Sequence, residues 1–276
     1  MKRARLTLLL GTEIPILAFL AFAILPWFWM MLSSIRPERD LARSPIALWP
    51  ETLTLVNYVE LLQRTSFAQN LRDSLIVAVG AVSLGLTLAL PAAYAFSRFR
   101  FRGRQVLRTQ FLVINMFPVV MLILPLFVLM RGLGLLDTYF ALIGGHATFT
   151  LPFAIWLLTG YFEGIPVELD QAAMVDGATR LQALRLVVFP LAMPGVIAVG
   201  LYLFITSWNE YLFALMLAGR NVRTVTVALQ LFIGEHQIQW GLLMAGGTLV
   251  SLPATILFLF AQRRLVGGLT GGAVKG

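Results

Sequence analysis

Six stretches of the chain run without a charged side chain, residues 14–35, 74–97, 109–130, 138–162, 186–209 and 237–262. Each exceeds the roughly 20 residues that a helix needs to cross a bilayer. A globular chain carries about 25% charged residues; here 12% are charged and 59% hydrophobic, so lipid must take over much of the solvation. Barrel strands are excluded, because they are about 10 residues long and alternate inside to outside. The sequence therefore predicts an all-α membrane protein, a single transmembrane domain over 1–276 with six transmembrane helices at about 8–35, 74–97, 107–130, 138–162, 191–218 and 238–262. The fifth is expected to run past Glu210, because the apolar run resumes at Tyr211. The first is read as an uncleaved span, since its apolar run continues through Leu32, too far for a signal peptide.

The formal charge of +8 reports topology before it reports a nucleic-acid partner. With the amino terminus inside, Lys2, Arg3, Arg5, the run Arg98, Arg100, Arg102, Arg104 and Arg108, then Arg180, Arg185, Arg263, Arg264 and Lys275 fall in the cytoplasm. These are thirteen of the 21 basic residues, so both termini are expected there. The segments outside the membrane are too short to fold as soluble domains. The absence of cysteine excludes a disulfide framework, a thiolate metal site and a cysteine nucleophile. His146 and His236 have no second ligand at metal-binding spacing, and no serine, histidine and acid recur as a nucleophile motif, so neither metal nor catalytic residues are assigned. The chain's lysines are Lys2 and Lys275, neither in a phosphate-binding Gly-rich loop. This chain cannot hydrolyse ATP by that chemistry.

The segment 163–190 reads as two short cytoplasmic helices. Pro166 suits a first turn, Glu168 and Asp170 favour the positive helix end, Gly177 ends the first helix, and Thr179 caps the second before Pro190 and Pro194 lead into span five. Small Ala172 and Ala173 leave a bald face that fits the groove of another protein as well as it fits a plain surface loop.

The order Asp170-Gln-Ala-Ala-x-x-Asp-Gly-Ala178, with Pro190 following, resembles the EAA loop of ABC importer permeases, and the wider chain resembles the smaller membrane subunit of maltose/trehalose permeases. Supporting stretches are Asn115-Met-Phe-Pro118 with Pro125, Leu133-Gly-Leu-Leu-Asp-Thr138, Ser207-Trp-Asn-Glu210 and the ending from Gln262. The resemblance covers nearly the whole chain. It implies that the loop is a coupling helix between spans four and five, docking on an ATPase subunit through Glu168, Asp170, Gln171, Ala172, Ala173, Asp176, Gly177, Ala178 and Pro190. The sequence departs from the motif at Gln171, where the family carries glutamate; Asp170 beside it is one candidate to take over the charge. Further implications are a second permease subunit, two ABC ATPases that hold ATP and Mg, an extracytoplasmic sugar-binding protein, and location in a bacterial or archaeal cytoplasmic (inner) membrane.

The function so implied is import of a sugar or oligosaccharide by alternating access, with glycerol phosphate or another polyol as a related cargo. The alternative of another class is an ion-coupled secondary transporter without ATPase partners, which would want an intramembrane acid relay; Glu210 is nearly the only deep acid. Asn115, Asn209 and Glu210 are the substrate-path candidates; Glu210 with Asn209 reads equally as packing between helices or as an interfacial group, and Asn115, just before Phe117-Pro118, marks either a broken helix that exposes backbone to a cavity or a simple proline kink.

Overall fold

The computed structural model describes residues 9–41, 49–50, 52–234 and 237–273, with side chains over the same ranges except at 9–10 and 263–273. Lys2, Arg3, Arg5, Arg43, His236, Arg263, Arg264 and Lys275 lie outside the described side chains. In chain order the helices are α1 (Ile14–Ser34), α2 (Glu38–Leu41), α3 (Val56–Arg64), α4 (Phe67–Arg98), α5 (Arg104–Asn115), α6 (Val119–Gly132), α7 (Tyr139–Glu163), α8 (Val167–Val175), α9 (Arg180–Leu191), α10 (Met193–Trp208), α11 (Leu212–Leu217), α12 (Val225–Gln230) and α13 (Trp240–Ala273). They group into two compact units, residues 1–68 with 228–252, and residues 69–227 with 253–276.

Among the described residues four helices are long and apolar enough to cross a membrane, and two bent pairs, α5 with α6 and α9 with α10, raise the number to six if each pair is one span. Both bends lie at prolines, at Pro118 and beside Pro190 and Pro194. Residues 107–130 do not form one rod: α5 and α6 meet at 98° around Pro118, which has no N–H to extend the ladder and adopts an extended ψ of 120°. The 81° turn between α9 and α10 at Ala192 falls where Pro190 and Pro194 were expected to lead from the loop into span five, whereas the span expected from about 191 to 218 stops at Trp208. It resumes at Leu212 because the Glu210 carboxylate accepts the N–H groups of Phe213 (2.8 Å) and Ala214 (3.1 Å) and so starts a new helix.

In the first unit, residues following α1 are tied down rather than forming a domain of their own. Asn57 donates to the carbonyls of Ser34 (2.8 Å) and Arg36 (2.7 Å), and the Glu38 carboxylate accepts the first N–H groups of α13, from Trp240 (2.9 Å) and Gly241 (2.6 Å). A carboxylate at a helix N-terminus satisfies orphan donors and complements the helix dipole.

Among the described residues of the second unit, packed cores lie toward opposite ends of α4. One sets Ala89 and Ala93 of α4 against Leu158 and Phe162 of α7, Val188 of α9, and Val199 and Leu203 of α10. The other joins Val77, Leu142 of α7, Phe213 and Leu217 of α11, and Val222. Hydrophobic transfer does not drive helices together in lipid, so small residues that let backbones approach matter more than apolar bulk. Gly195 is such a position: a Cβ there would lie 2.4 Å from Cγ of the Tyr161 ring, so α10 crosses α7 only because the side chain is absent.

Candidate functional site

The loop between α7 and α10 is built from local rules. Pro166 immediately precedes α8 with an extended ψ of 132°, Glu168 and Asp170 occupy its first turn, and Asp176 is its last half-helical residue. Gly177 then takes φ +90°, its N–H bonding Met174 O (3.1 Å) while that of Ala178 bonds Ala173 O (3.0 Å). That pair of bonds is a Schellman ending, which requires a left-handed residue and therefore favours glycine. Thr179 opens α9 with a capping box: Gln182 N–H donates to Thr179 Oγ1 (3.3 Å), and Thr179 N–H donates to Gln182 Oε1 (2.7 Å). Between two such termini α8 is fixed in length and direction.

The faces of α8 differ. Glu168, Gln171, Ala172 and Val175, at helical spacing, are all exposed, and Val175 is 87% exposed. Asp176, Gly177 and Pro190 are exposed too, whereas Ala173 and Ala178 are half-buried. Asp170 points the other way. Only 3% exposed, it forms an ion pair with Nε of Arg98, the last residue of α4 and itself buried. The same guanidinium donates from Nη1 to Phe162 O and from Nη2 to Ile165 O, each at 3.0 Å. Next to it, Glu163 at the end of α7 accepts from Arg104 (2.7 Å) and from both terminal nitrogens of Arg108 (2.7 and 3.0 Å). The Arg180 guanidinium lies over the Phe99 ring, 4.9 Å from its centroid. The basic run 98–108 thus supplies partners to the loop, which its spacing in sequence did not reveal.

A second polar group sits inside the second unit. His146 of α7, set aside in the sequence as isolated, places Nδ1 2.6 Å from Ser207 Oγ and Nε2 3.4 Å from Glu210 Oε2. Nδ1 shares a hydrogen bond with the serine hydroxyl whose direction follows the ring tautomer, whereas Nε2 faces the carboxylate without a hydrogen bond. The three residue types of a hydrolase triad therefore meet, but His146 (2% exposed) and Ser207 (5%) are closed off from any substrate, and the carboxylate is engaged by the backbone of α11. The group is a helix joint. Of the three path candidates, Glu210 belongs to this joint; Asn115 and Asn209 are exposed, at the α5–α6 break and at the end of α10, with Asn115 Nδ2 donating to Phe111 O (2.8 Å).

At the opposite end of α7, Asp137 was legible only as part of a motif stretch. Its φ of +59° aims the carboxylate at successive N–H groups of Arg220 (3.0 Å), Asn221 (3.0 and 3.1 Å) and Val222 (3.0 Å). Burial alone would raise its pKa, but the N–H donors of Asn221, Val222, Arg220 and Gly219 outweigh it and hold the carboxyl below its ordinary range. Since the folded value lies below the unfolded one, the stabilisation is complete above about pH 3.9 and is lost as pH falls through the folded value. Amide exchange at Arg220–Val222, corrected for intrinsic rates, is expected to stay constant from pH 7 to 5, and Asp137→Ala to lower protection there about tenfold at pH 7. Loss of protection already at pH 5 would contradict this reading.

Residues 81–270 match the family described as binding-protein-dependent transport system inner membrane component. The chain is 36% identical over 261 residues to the inner membrane ABC transporter permease protein YcjP of Escherichia coli, covering 94% of this chain and 93% of the relative. It is 38% identical to the trehalose transport system permease protein SugB of Mycobacterium tuberculosis (92% and 93% covered) and 36% identical to the trehalose/maltose transport system permease protein MalG of Thermococcus litoralis (92% of each). A solved bacterial ABC transporter involved in import of the acidic polysaccharide alginate superposes with a TM-score of 0.80 at 26% identity, covering 92% of this chain and 95% of that one. The reading as a secondary transporter acting alone gives way to these matches. A chain of apolar, twice-broken spans with a rigid capped loop between α7 and α10, and with no phosphate-binding lysine loop in its sequence, belongs to the family of inner-membrane permease subunits of binding-protein-dependent ABC importers, whose ATPase lies in partner subunits.

Proposed function

We propose that the chain imports a sugar or oligosaccharide by alternating access, together with a second permease subunit, two ABC ATPases that hold ATP and Mg, and an extracytoplasmic binding protein. The cargo follows from relatives named for trehalose and maltose at 36–38% identity. The observation that carries the mechanism is the exposed face of α8, Glu168, Gln171, Ala172 and Val175, closed by Gly177 at φ +90°. This face docks in the ATPase with Asp176, Ala178 and Pro190 beside it. Here the charge that the motif glutamate would bring is absent at Gln171, and Asp170 does not replace it, since it is buried. The contact then rests on shape, on Val175 and on Glu168. The excess of Lys and Arg on the side of the 98–108 and 163–190 loops puts both termini in the cytoplasm. Asn115 and Asn209, polar and exposed beside helix breaks, line the sugar path; a polar group exposed in a span calls for water or a partner.

The test is purification of the tagged chain in mild detergent from its own host, with mass spectrometry of what accompanies it. A second six-span protein and a Walker-motif ATPase are expected. Recovery of the chain alone, still moving solute in ATP-free liposomes, would overturn the proposal.

A further inference from the structure

We infer that the buried Arg98–Asp170 pair is the joint through which displacement of α8 reaches the membrane helices, with Asp170 a positioning residue and not a contact with the ATPase. The inference rests on the proposed docking of α8. Both side chains are about 4% exposed, so a protein seated on the outer face of α8 reaches neither. Arg98 ends α4, its two terminal nitrogens hold carbonyls at and just beyond the end of α7, and its Nε meets the first turn of α8. One planar cation therefore joins three helices. Its fork has fixed geometry, which a flexible point charge such as lysine lacks. Among the described residues no other cation lies within ion-pair distance of Asp170, so the carboxylate cannot leave Arg98 without becoming an uncompensated buried charge.

This determines what kind of motion passes through. Apolar contacts under α8, such as those of half-buried Ala173 and Met174, resist compression but separate easily under tension. A buried ion pair resists both, because separating opposite charges at low dielectric is costly. Pushing and pulling on α8 are thereby delivered to the ends of α4 and α7. The Glu163 clasp with Arg104 and Arg108 extends the same rigid patch to α5.

The chain contains no cysteine, so two single cysteines can carry spin labels in the purified complex: Leu169→Cys on an exposed flank of α8, and Arg102→Cys beyond the end of α4. Distances between them are measured by double electron–electron resonance, nucleotide-free and trapped with ATP and vanadate. With Asp170 present the distribution is expected to be the same in both states. Asp170→Asn is expected to leave the nucleotide-free distribution in place and to shift and broaden the trapped one, Arg98→Gln to do the same, and Asp170→Glu to restore the unsubstituted behaviour. A distribution that moves with nucleotide when Asp170 is intact overturns the joint, as does an Asp170→Asn pattern unchanged in the trapped state or altered equally in both states, the mark of a merely structural role. If Arg98→Gln does not assemble, the Asp170 variants decide alone. Absence of any ATPase from the unsubstituted complex is a different failure, since it removes the docking reading itself.

Discussion

Gly177→Arg is expected to abolish uptake while the chain still inserts and folds. In the isolated chain nothing lies within 4 Å of where a Cβ at Gly177 would be, so the substitution meets no internal obstacle. It does meet two others. A non-glycine residue at φ +90° is strained by about 1–2 kcal/mol, and the long cation projects from the end of α8 just where a docked ATPase would lie. Gly177→Ala separates these effects, since it carries the strain without the bulk. Uptake by the alanine variant is expected within a few-fold of the unsubstituted protein, and that of the arginine variant to be reduced more than a hundredfold, with the ATPase lost on purification. Equal uptake by both, measured with radiolabelled trehalose or maltose as probes in cells expressing the complete system, would sink the idea that this end of the helix faces a partner.

Glu210→Ala carries the largest expected cost to stability. The carboxylate caps α11 and stands against His146. Losing a cap that holds two N–H groups costs about 1–2 kcal/mol, and that loss sets the expected cost, since Nε2 of His146 makes no hydrogen bond to the carboxylate. Glu210→Gln keeps one acceptor oxygen and is expected to lose less than half as much. Unfolding of the purified protein in detergent, followed by circular dichroism, checks the order. Should Gln and Ala behave alike, the charge and not the cap would be the essential feature; should neither differ from the original, the joint between α7, α10 and α11 has been misread.

The two sites differ in how far they were visible in the amino-acid order. Gly177 and Thr179 act on neighbours a few residues away, through a left-handed turn and a capping box, so their spacing alone announces them. The partner of Asp170 could not be found that way. Arg98 is one of five arginines between residues 98 and 108, and nothing local distinguishes the one whose guanidinium turns inward from those that meet Glu163 or remain exposed. His146 and Glu210 likewise lie on different helices, and a ring nitrogen and a carboxylate become a pair only once the two pack. The spans were legible as apolar windows, since length and charge are properties of the window. Their breaks were legible as positions, at Pro118 and at Pro190 with Pro194, but not as angles, and the stop at Trp208 was not legible at all. Pro118 marked a place where helix geometry fails, but whether a proline kinks a helix slightly or turns it through a right angle is decided by what packs on either side.

That right angle has a consequence for how the third span meets lipid. At about 1.5 Å per residue, the 12 residues of α5 are about 18 Å long and the 14 of α6 about 21 Å, against a hydrocarbon thickness of about 30 Å. Neither segment reaches across by itself, and set at 98° they do not add end to end. The backbone between Asn115 and Pro118 leaves the helical ladder, and such backbone at membrane depth is tolerated only where protein or water surrounds it.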